Sequence, residues 1–418
     1  MRVRIHRGAR EIGGSCVELQ AAGESILLDL GRPLWATPDE QVPLPPAVGL
    51  GEPGPLPRAV IITHGHQDHW GLVPQLPDGV PVWIGKAAAD ILRAAEFWGT
   101  GIDLREQGHL HDQQTVTIGP FTITPYLVDH SAFDAYSLLV EADGRRLFYS
   151  GDLRAHGRKP GSWRRLLESP PQDVHAMLLE GTNLRDEHSP GESLTSESAV
   201  ETDLAATLRN ANGLVVVLSS PQNIDRMVTV YRAALRADRD TAIDLYGAEV
   251  AVATGRDTIP RPAPDWPRVR VYMPVRQRVR VKESGEFHRT EAVRAHRIFD
   301  EDLAASPGSW VLCGAYQWHV PAMIRAGLLD GGVVVWSMWD GYLVEPSGQR
   351  FTALLAEHGV PMHHHHTSGH AAPADLQALI AAVQPATLVP IHTDAPHRYA
   401  EVLGYTATLH DDGAWWTV

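Results

Sequence analysis

Cysteine is nearly missing from this chain. Cys16 and Cys313 are the only two in 418 residues, which excludes a disulfide framework and leaves His, Asp and Glu to build any metal site. No run of eighteen or more apolar residues occurs, so no membrane-spanning helix is expected. The amino terminus MRVRIHRGAREIGG carries no apolar segment of the signal-peptide kind, and the expected location is the cytoplasm. Repeats and low-complexity linkers are lacking too. Positive charge is in deficit, 36 Lys and Arg against 50 Asp and Glu, and the balance of −14 weighs against a broad phosphate-neutralising surface. The hydrophobic share is 44%, enough to fill the cores of two domains, or of one large domain with an insertion. Histidine, with 22 copies, is plentiful.

The first half of the chain reads as short strands separated by turns: RVRIH, CVELQ, SILLDLG and RAVIITHGH. A helical segment, GKAAADILRAAEFW, follows, and then the strands FTITPYLV, YSLLVEA, RRLFYSGD and VHAMLLEG. This order predicts stacked sheets with helices outside. From about residue 190 helix and strand alternate, which predicts a parallel α/β unit. Between Arg268 and Arg289 the sequence RVRVYMPVRQRVRVKESGEFHR is locally basic, and its Arg/Val alternation predicts a strand with one basic face; a solvated edge strand protected by charge fits the same letters.

The strongest chemical signal is IITHGHQDHWG at residues 61–71. An apolar strand runs into a loop where His64, His66, Asp68 and His69 crowd within six positions. Imidazole nitrogen and carboxylate oxygen suit zinc or manganese, and a strand-to-loop junction can aim several ligands at one point. One loop cannot complete two metal shells, so further ligands are expected at later strand ends. His130, after YLV, and Asp152, after LFYSG, stand in such places; taken singly, each is more often a turn residue or cap than a ligand. The tract PMHHHHTSGHAAPADLQ at 361–377 adds a fifth histidine, His370, to four consecutive ones that lie more than fifty residues from the carboxy terminus and so are not a terminal tag.

These residues resemble the metallo-β-lactamase fold and its β-CASP branch of nucleases, with ribonuclease J the most similar. The likeness rests on HGHQDH, on LLEGTN with Glu180, on TSGHA with His370 and on LVPIHTD with His392. GAREIGGSCVEL and SSPQNIDR extend it to nearly the whole chain. The resemblance implies an α/β protein: an αββα sandwich with an inserted α/β β-CASP domain. Residues 1–185 would be the first part of the metallo-β-lactamase domain, 186–352 the insertion and 353–418 the return segment, because His370 and His392 must come back to the metals. It also implies two divalent ions, zinc or else manganese. His64, His66 and His130 would hold one and Asp68, His69 and His392 the other, with Asp152 bridging. Such a pair activates water for in-line attack on phosphorus.

By the same resemblance His370 would act on the scissile phosphate or leaving oxygen, Glu180 would orient His370, and Asp29 would support the metal loop through hydrogen bonds. HTSGH would be a phosphate loop, with His366, Thr367, Ser368 and Gly369 facing the ligand; a tight strand-to-helix turn is the other reading of those small residues. Ser219, Ser220, Asn223 and Arg226 would line the nucleotide channel, unless they simply start a capped helix. His363, His364 and His365 are expected to continue a strand with alternating faces. Two departures from ribonuclease J stand out: Asp225 replaces a usual His, and SMWDGY at 337–342 is unfamiliar. About twenty-six residues follow His392, where the resemblance to ribonuclease J leads to the expectation of a further carboxy-terminal domain.

The implied function is metal-dependent hydrolysis of RNA, single-stranded above all, by 5′–3′ exonuclease action, internal cleavage or both, with no membrane partner and a homo-oligomer as an open possibility. DNA or a small phosphodiester is the alternative substrate. A non-catalytic scaffold is the remaining class, disfavoured because all seven expected ligands are present.

Overall fold

A computed structural model describes residues 1–37, 39–185 and 194–418. The chain divides into two compact units: residues 1–96, 100–194 and 369–418 form the first, and 97–99 with 195–368 form the second.

The first unit contains two sheets. One runs, in spatial order, Trp415–Thr417, Arg2–Arg7, Cys16–Ala21, Glu24–Leu28, Val60–Ile61, Val82–Gly85 and Gly108–Leu110. The other runs Thr387–Ile391, Ala176–Glu180, Arg145–Tyr149, Ala135–Ala142, Phe121–Val128 and Val116–Ile118. Strand residues alternate between faces, and here both faces are covered, which is why SILLDL reads as a continuous apolar run. Ile26 and Leu28 join Val17, Ile61, Phe121, Leu138, Val140 and Ile391 in the core between the sheets. Leu27 turns the other way, to Val60, Ile84 and helix Lys86–Glu96 through Ala88 and Leu92. The second sheet does the same: Phe148, Met177 and Leu179 pack with Leu166 of helix Pro160–Glu168 and Leu376 and Leu379 of helix Pro373–Val383. Helix, sheet, sheet and helix therefore lie in four layers, an αββα sandwich. Each of these wholly buried Leu, Ile or Phe side chains contributes about 1.5–3 kcal/mol.

The second unit is built on a seven-stranded sheet of parallel pairs, in the order Arg297–Ile298, Val269–Tyr272, Asp240–Ile243, Trp310–Gly314, Val215–Leu218, Val333–Trp336 and Met362–His364. Three of its helices start on side-chain caps. Ser196 accepts from Ala199 N, Asn223 from Arg226 N and Asp244 from Gly247 N.

Two expectations need correction. The basic Arg/Val stretch is not one strand: Val269–Tyr272 is extended, but Val275–Ser284 is a helix. Pro274 ends the strand, and the Arg, Gln, Lys and Glu that follow are good helix formers; the result leaves Val275 and Val279 exposed. The return to the first unit also comes later than residue 353. Helix Pro346–Glu357 puts Phe351 and Leu355 into the second unit's core, and Met362–His364 pairs with Val334–Trp336, so the second unit extends to Ser368. The expected start of the insertion at residue 186 lies outside the described residues. No helix of the described residues is long and apolar enough to cross a membrane.

Candidate metal centre

Four strand ends of the first unit bring the chemistry together. Beyond Val60–Ile61 the chain places His64 and His66 in a loop, and Asp68 and His69 in the one-turn helix Gln67–Trp70. His130 follows Phe121–Val128, Asp152 follows Arg145–Tyr149 and His392 follows Thr387–Ile391. Parallel pairing sets Glu180 opposite Ile391, so the ends of those two strands lie side by side.

The donor atoms converge. His66 Nδ1 lies 3.2 Å from His64 Nε2 and 3.0 Å from His130 Nε2. Ligands at about 2.0–2.1 Å from a tetrahedral zinc are roughly 3.3 Å apart, so this spacing fits one ion. In the second set His392 Nε2 is 3.3 Å and His69 Nε2 3.9 Å from Asp68 Oδ2. Asp152 Oδ2 belongs to both sets, at 3.7 Å from His64, 3.9 Å from His130, 3.2 Å from His69 and 3.7 Å from His392. These residues form clusters able to hold metal ions, and a third grouping joins Asp152, His370 and His392.

The imidazoles are aimed by bonds at their outer nitrogens. His69 Nδ1 donates to Asp29 Oδ2 at 2.8 Å, and His130 Nδ1 donates to the Gly369 carbonyl at 2.6 Å. His64 Nδ1 meets Thr63 Oγ1 at 3.0 Å, and His392 Nδ1 meets Thr182 Oγ1 at 2.9 Å. Asp29 sits at φ +59°, a left-handed conformation that Asp tolerates better than most residues. It also accepts from Thr63 N at 2.7 Å and Tyr149 Oη at 2.8 Å.

Electrostatics fit a cation. Burial first, then neighbouring imidazoles, hold His64 and His130 well below the usual range, and His66 is lowered to about 4; neutral imidazoles keep their lone pairs. Burial opposes charge on Asp152, but His392, His69 and His370 outweigh it and hold the carboxyl well below its usual range. Asp68 is lowered to about 2 against the same burial, by His69 and His392. At His69 burial is overcome by Asp152, Asp29 and Asp68, which raise it far above normal: the pocket favours positive charge. Among the described residues, buried His69 Nε2 and Asp152 Oδ1 have no hydrogen-bond partner, a shortfall that metal ligation would remove.

A β-lactamase superfamily domain matches residues 26–202. Ribonuclease J of Sinorhizobium meliloti is 26% identical over 404 residues, covering 90% of this chain and 65% of that protein. Ribonuclease J of Mycobacterium tuberculosis is 27% identical over 255 residues, covering 57% and 43%. The chain carries a β-lactamase superfamily domain and is ribonuclease J-like. A crystal structure of an Enterococcus faecalis protein of unknown function shares the fold, with a TM-score of 0.78 at 22% identity, over 100% of this chain and 99% of that one. The matched regions fall short of two thirds of either ribonuclease J's own length.

In this ribonuclease J-like chain Glu180 is fully buried. Its Oε1 accepts from Ala371 N at 3.0 Å and its Oε2 from Thr182 N at 2.9 Å, with His370 Nδ1 3.7 Å from Oε2. Asn183 Nδ2 donates to the carbonyls of His370 and Ala371 at 3.0 and 3.1 Å. Thr367 Oγ1 donates to the Thr195 carbonyl. The His363 and His365 rings stack on each other, as do those of His364 and His366, although the strand itself ends at His364.

The channel residues need correction. Arg226 is wholly buried and Ser219 nearly so. Asn223 caps the helix Ile224–Arg236 with its side-chain oxygen, and Ser219 Oγ faces Cys313 Sγ at 3.6 Å. Ser220 alone of the four is exposed. The capped-helix reading accounts for Asn223, and packing takes up Ser219 and the donors of Arg226. Sequence reasoning missed Thr63, Tyr149, Thr182 and Asn183. Thr63, Thr182 and Asn183 lie within quoted motifs, a signal that was available; Tyr149 meets Asp29 only through the fold.

Proposed function

We propose that this chain is a metal-dependent ribonuclease that hydrolyses phosphodiester bonds of single-stranded RNA with two divalent ions, zinc or else manganese. The observation that carries the reading is Asp152 Oδ2, within 3.2–3.9 Å of ring nitrogens from both ligand sets. A single carboxylate oxygen shared in this way suits a pair of cations. Two of the similar proteins bear the name ribonuclease J.

His64, His66 and His130 would hold one ion, Asp68, His69 and His392 the other, and Asp152 both. Bound there, the ions supply Lewis-acid charge and acidify water. Hydrolysis adds water across the P–O3′ bond, with oxygen going to phosphorus and a proton ending on O3′. His370, stacked on His392 with ring centroids 5.4 Å apart, is the group proposed to give a hydrogen bond to the phosphate or a proton to O3′. Glu180 positions it by holding Ala371 N and facing His370 Nδ1. The segment His366–Gly369 is proposed to receive a backbone or 5′-terminal phosphate, and the proposed location is cytoplasmic.

The test is to incubate protein loaded with zinc or manganese with RNA and DNA of one sequence, bearing 5′-monophosphate, triphosphate or hydroxyl ends. Cleavage of RNA that chelation abolishes is expected, with mononucleotides released from the monophosphorylated end by exonuclease action or discrete fragments by endonuclease action. Cleavage of DNA alone would replace the substrate assignment, and a His69→Ala variant that cleaves as fast as the parent would refute the metal assignment.

A further inference from the structure

Arg226 and Glu197 are both fully buried. The guanidinium donates to the carboxylate twice, Nε to Oε2 at 3.2 Å and Nη2 to Oε1 at 2.9 Å, and Thr229 Oγ1 adds a bond to Oε2 at 2.7 Å. A buried pair of this kind is weak support for stability, since packed apolar residues often serve as well. Its third arm is what asks for another account. Arg226 Nη1 turns away from the acid to Ser337 O at 2.8 Å, Ser337 Oγ at 2.6 Å and His366 Nδ1 at 3.4 Å. Ser337 Oγ in turn donates to the His365 carbonyl at 2.6 Å. One guanidinium thus ties two helices, the end of strand Val333–Trp336 and the exit of strand Met362–His364, where HTSGH begins.

We infer that Arg226 is a positioning residue for the phosphate loop: braced by Glu197, it holds the His366 ring and, through Ser337, the His365 backbone, without touching substrate. This rests on the reading of His366–Gly369 as a phosphate loop. Serine at 337, in the SMWDGY segment that departs from the ribonuclease J pattern, supplies both acceptors and the onward donor. Alanine there would keep the carbonyl and lose the link to His365.

The same geometry governs charge. A guanidinium 3.4 Å from Nδ1 opposes protonation of the imidazole. The groups facing His366 are Arg226 from helix Ile224–Arg236, the Ser337 carbonyl, His364 on its own strand and Glu197 from helix Glu197–Asn210. Burial, then Arg226, lower His366 to about 3 against the opposing pull of Ser337 and Glu197. The loop therefore begins with a neutral, fixed imidazole across the physiological range, held between the Arg226 guanidinium and the Ser337 carbonyl. Arg226 thus acts on phosphate indirectly, which explains its burial.

The test uses the full metal-loaded chain and two variants: Arg226→Met combined with Glu197→Gln, which leaves no uncompensated buried charge, and Ser337→Ala, which keeps the ion pair. KM and kcat on 5′-monophosphorylated RNA are measured between pH 5 and 8, with the His366 ring nitrogens followed by NMR. In the double variant KM is expected to rise at least fivefold with kcat less affected, and the His366 ring to be protonated at a higher pH than in the parent. Ser337→Ala is expected to raise KM at least twofold while His366 stays neutral. If the double variant does not fold, Ser337→Ala decides alone, and a parental KM overturns the inference. A folded double variant with parental KM and a His366 that still does not titrate overturns it as well. Failure of the parent to cleave any RNA strikes the proposed function instead, whereas a cleaving parent with indifferent variants strikes only this inference.

Discussion

Gly369 is where the proposed phosphate loop meets the metal ligands. Its carbonyl accepts from His130 Nδ1 at 2.6 Å, and a Cβ there would lie 2.5 Å from Ser131 Oγ and 3.3 Å from His130 Cε1. Gly369→Ala must therefore displace Ser131, the carbonyl or the imidazole. Loss of an outer hydrogen bond to a metal ligand costs about 10–100-fold in affinity or activity, and a fall of that size is expected in cleavage, together with reduced metal per chain. Parental metal content and rate in this variant would show that the carbonyl does not orient His130. Single residues also mark the reach of sequence reading. His64, His66, Asp68 and His69 were legible because ligand spacing within one loop is a local property. The bond from Tyr149 to Asp29 was not, because the two are 120 residues apart and meet only once the sheets stack. Arg226 was misjudged for a related reason: its residue type suits phosphate, and only packing reveals that Glu197 and Ser337 have taken its donors.

At the scale of elements, three helix starts in the second unit carry polar caps, and one of these has a measurable cost. Asp244 accepts from Gly247 N at 2.7 Å and Gln277 Nε2 at 2.9 Å, yet burial outweighs both bonds and raises its carboxyl to about 6. A carboxyl raised in the fold contributes stability below its unfolded value of 3.8 that is lost as pH rises through about 6. The loss amounts to about 3 kcal/mol, at about 1.4 kcal/mol per unit. Asp244→Asn retains the acceptor for Gly247 N and cannot ionise. Its unfolding free energy relative to the parent is expected to improve by an amount of this order between pH 4 and 7, read from urea unfolding at each pH. A difference that stays constant across that range would mean that Asp244 ionises as freely in the fold as out of it. Element types followed their patterns where the two faces of a segment differ or both are buried, as in Glu24–Leu28. The Arg/Val stretch failed because its alternation was interrupted by Pro274, and its second half has Val281 as its sole buried side chain; with so little apolar surface to place, local helix preference decided the outcome.

At the scale of the whole molecule the metal donors are unevenly shared. Every grouping among the described residues able to hold an ion, from His64 to His392, lies in the first unit. The fold thus gathers the metal donors in one sandwich, while the second unit is held by the apolar core on its parallel sheet. A ligand that binds only the folded state stabilises it by about 2.7 kcal/mol at a hundred times its dissociation constant. For a unit of this size each kcal/mol moves the melting temperature by about 2–4 °C. Chelation is therefore expected to lower the first unit's calorimetric transition by about 5–10 °C, by the same relations, and to leave the second unit's transition in place. Added zinc or manganese should restore the first, and His69→Ala should abolish most of the response. A single transition that moves as a whole would show that the two units unfold together, with the metal stabilising both through that coupling. If neither transition responds to chelator or metal, the His and Asp groups are held by the fold alone, and the hydrolytic reading loses its cation.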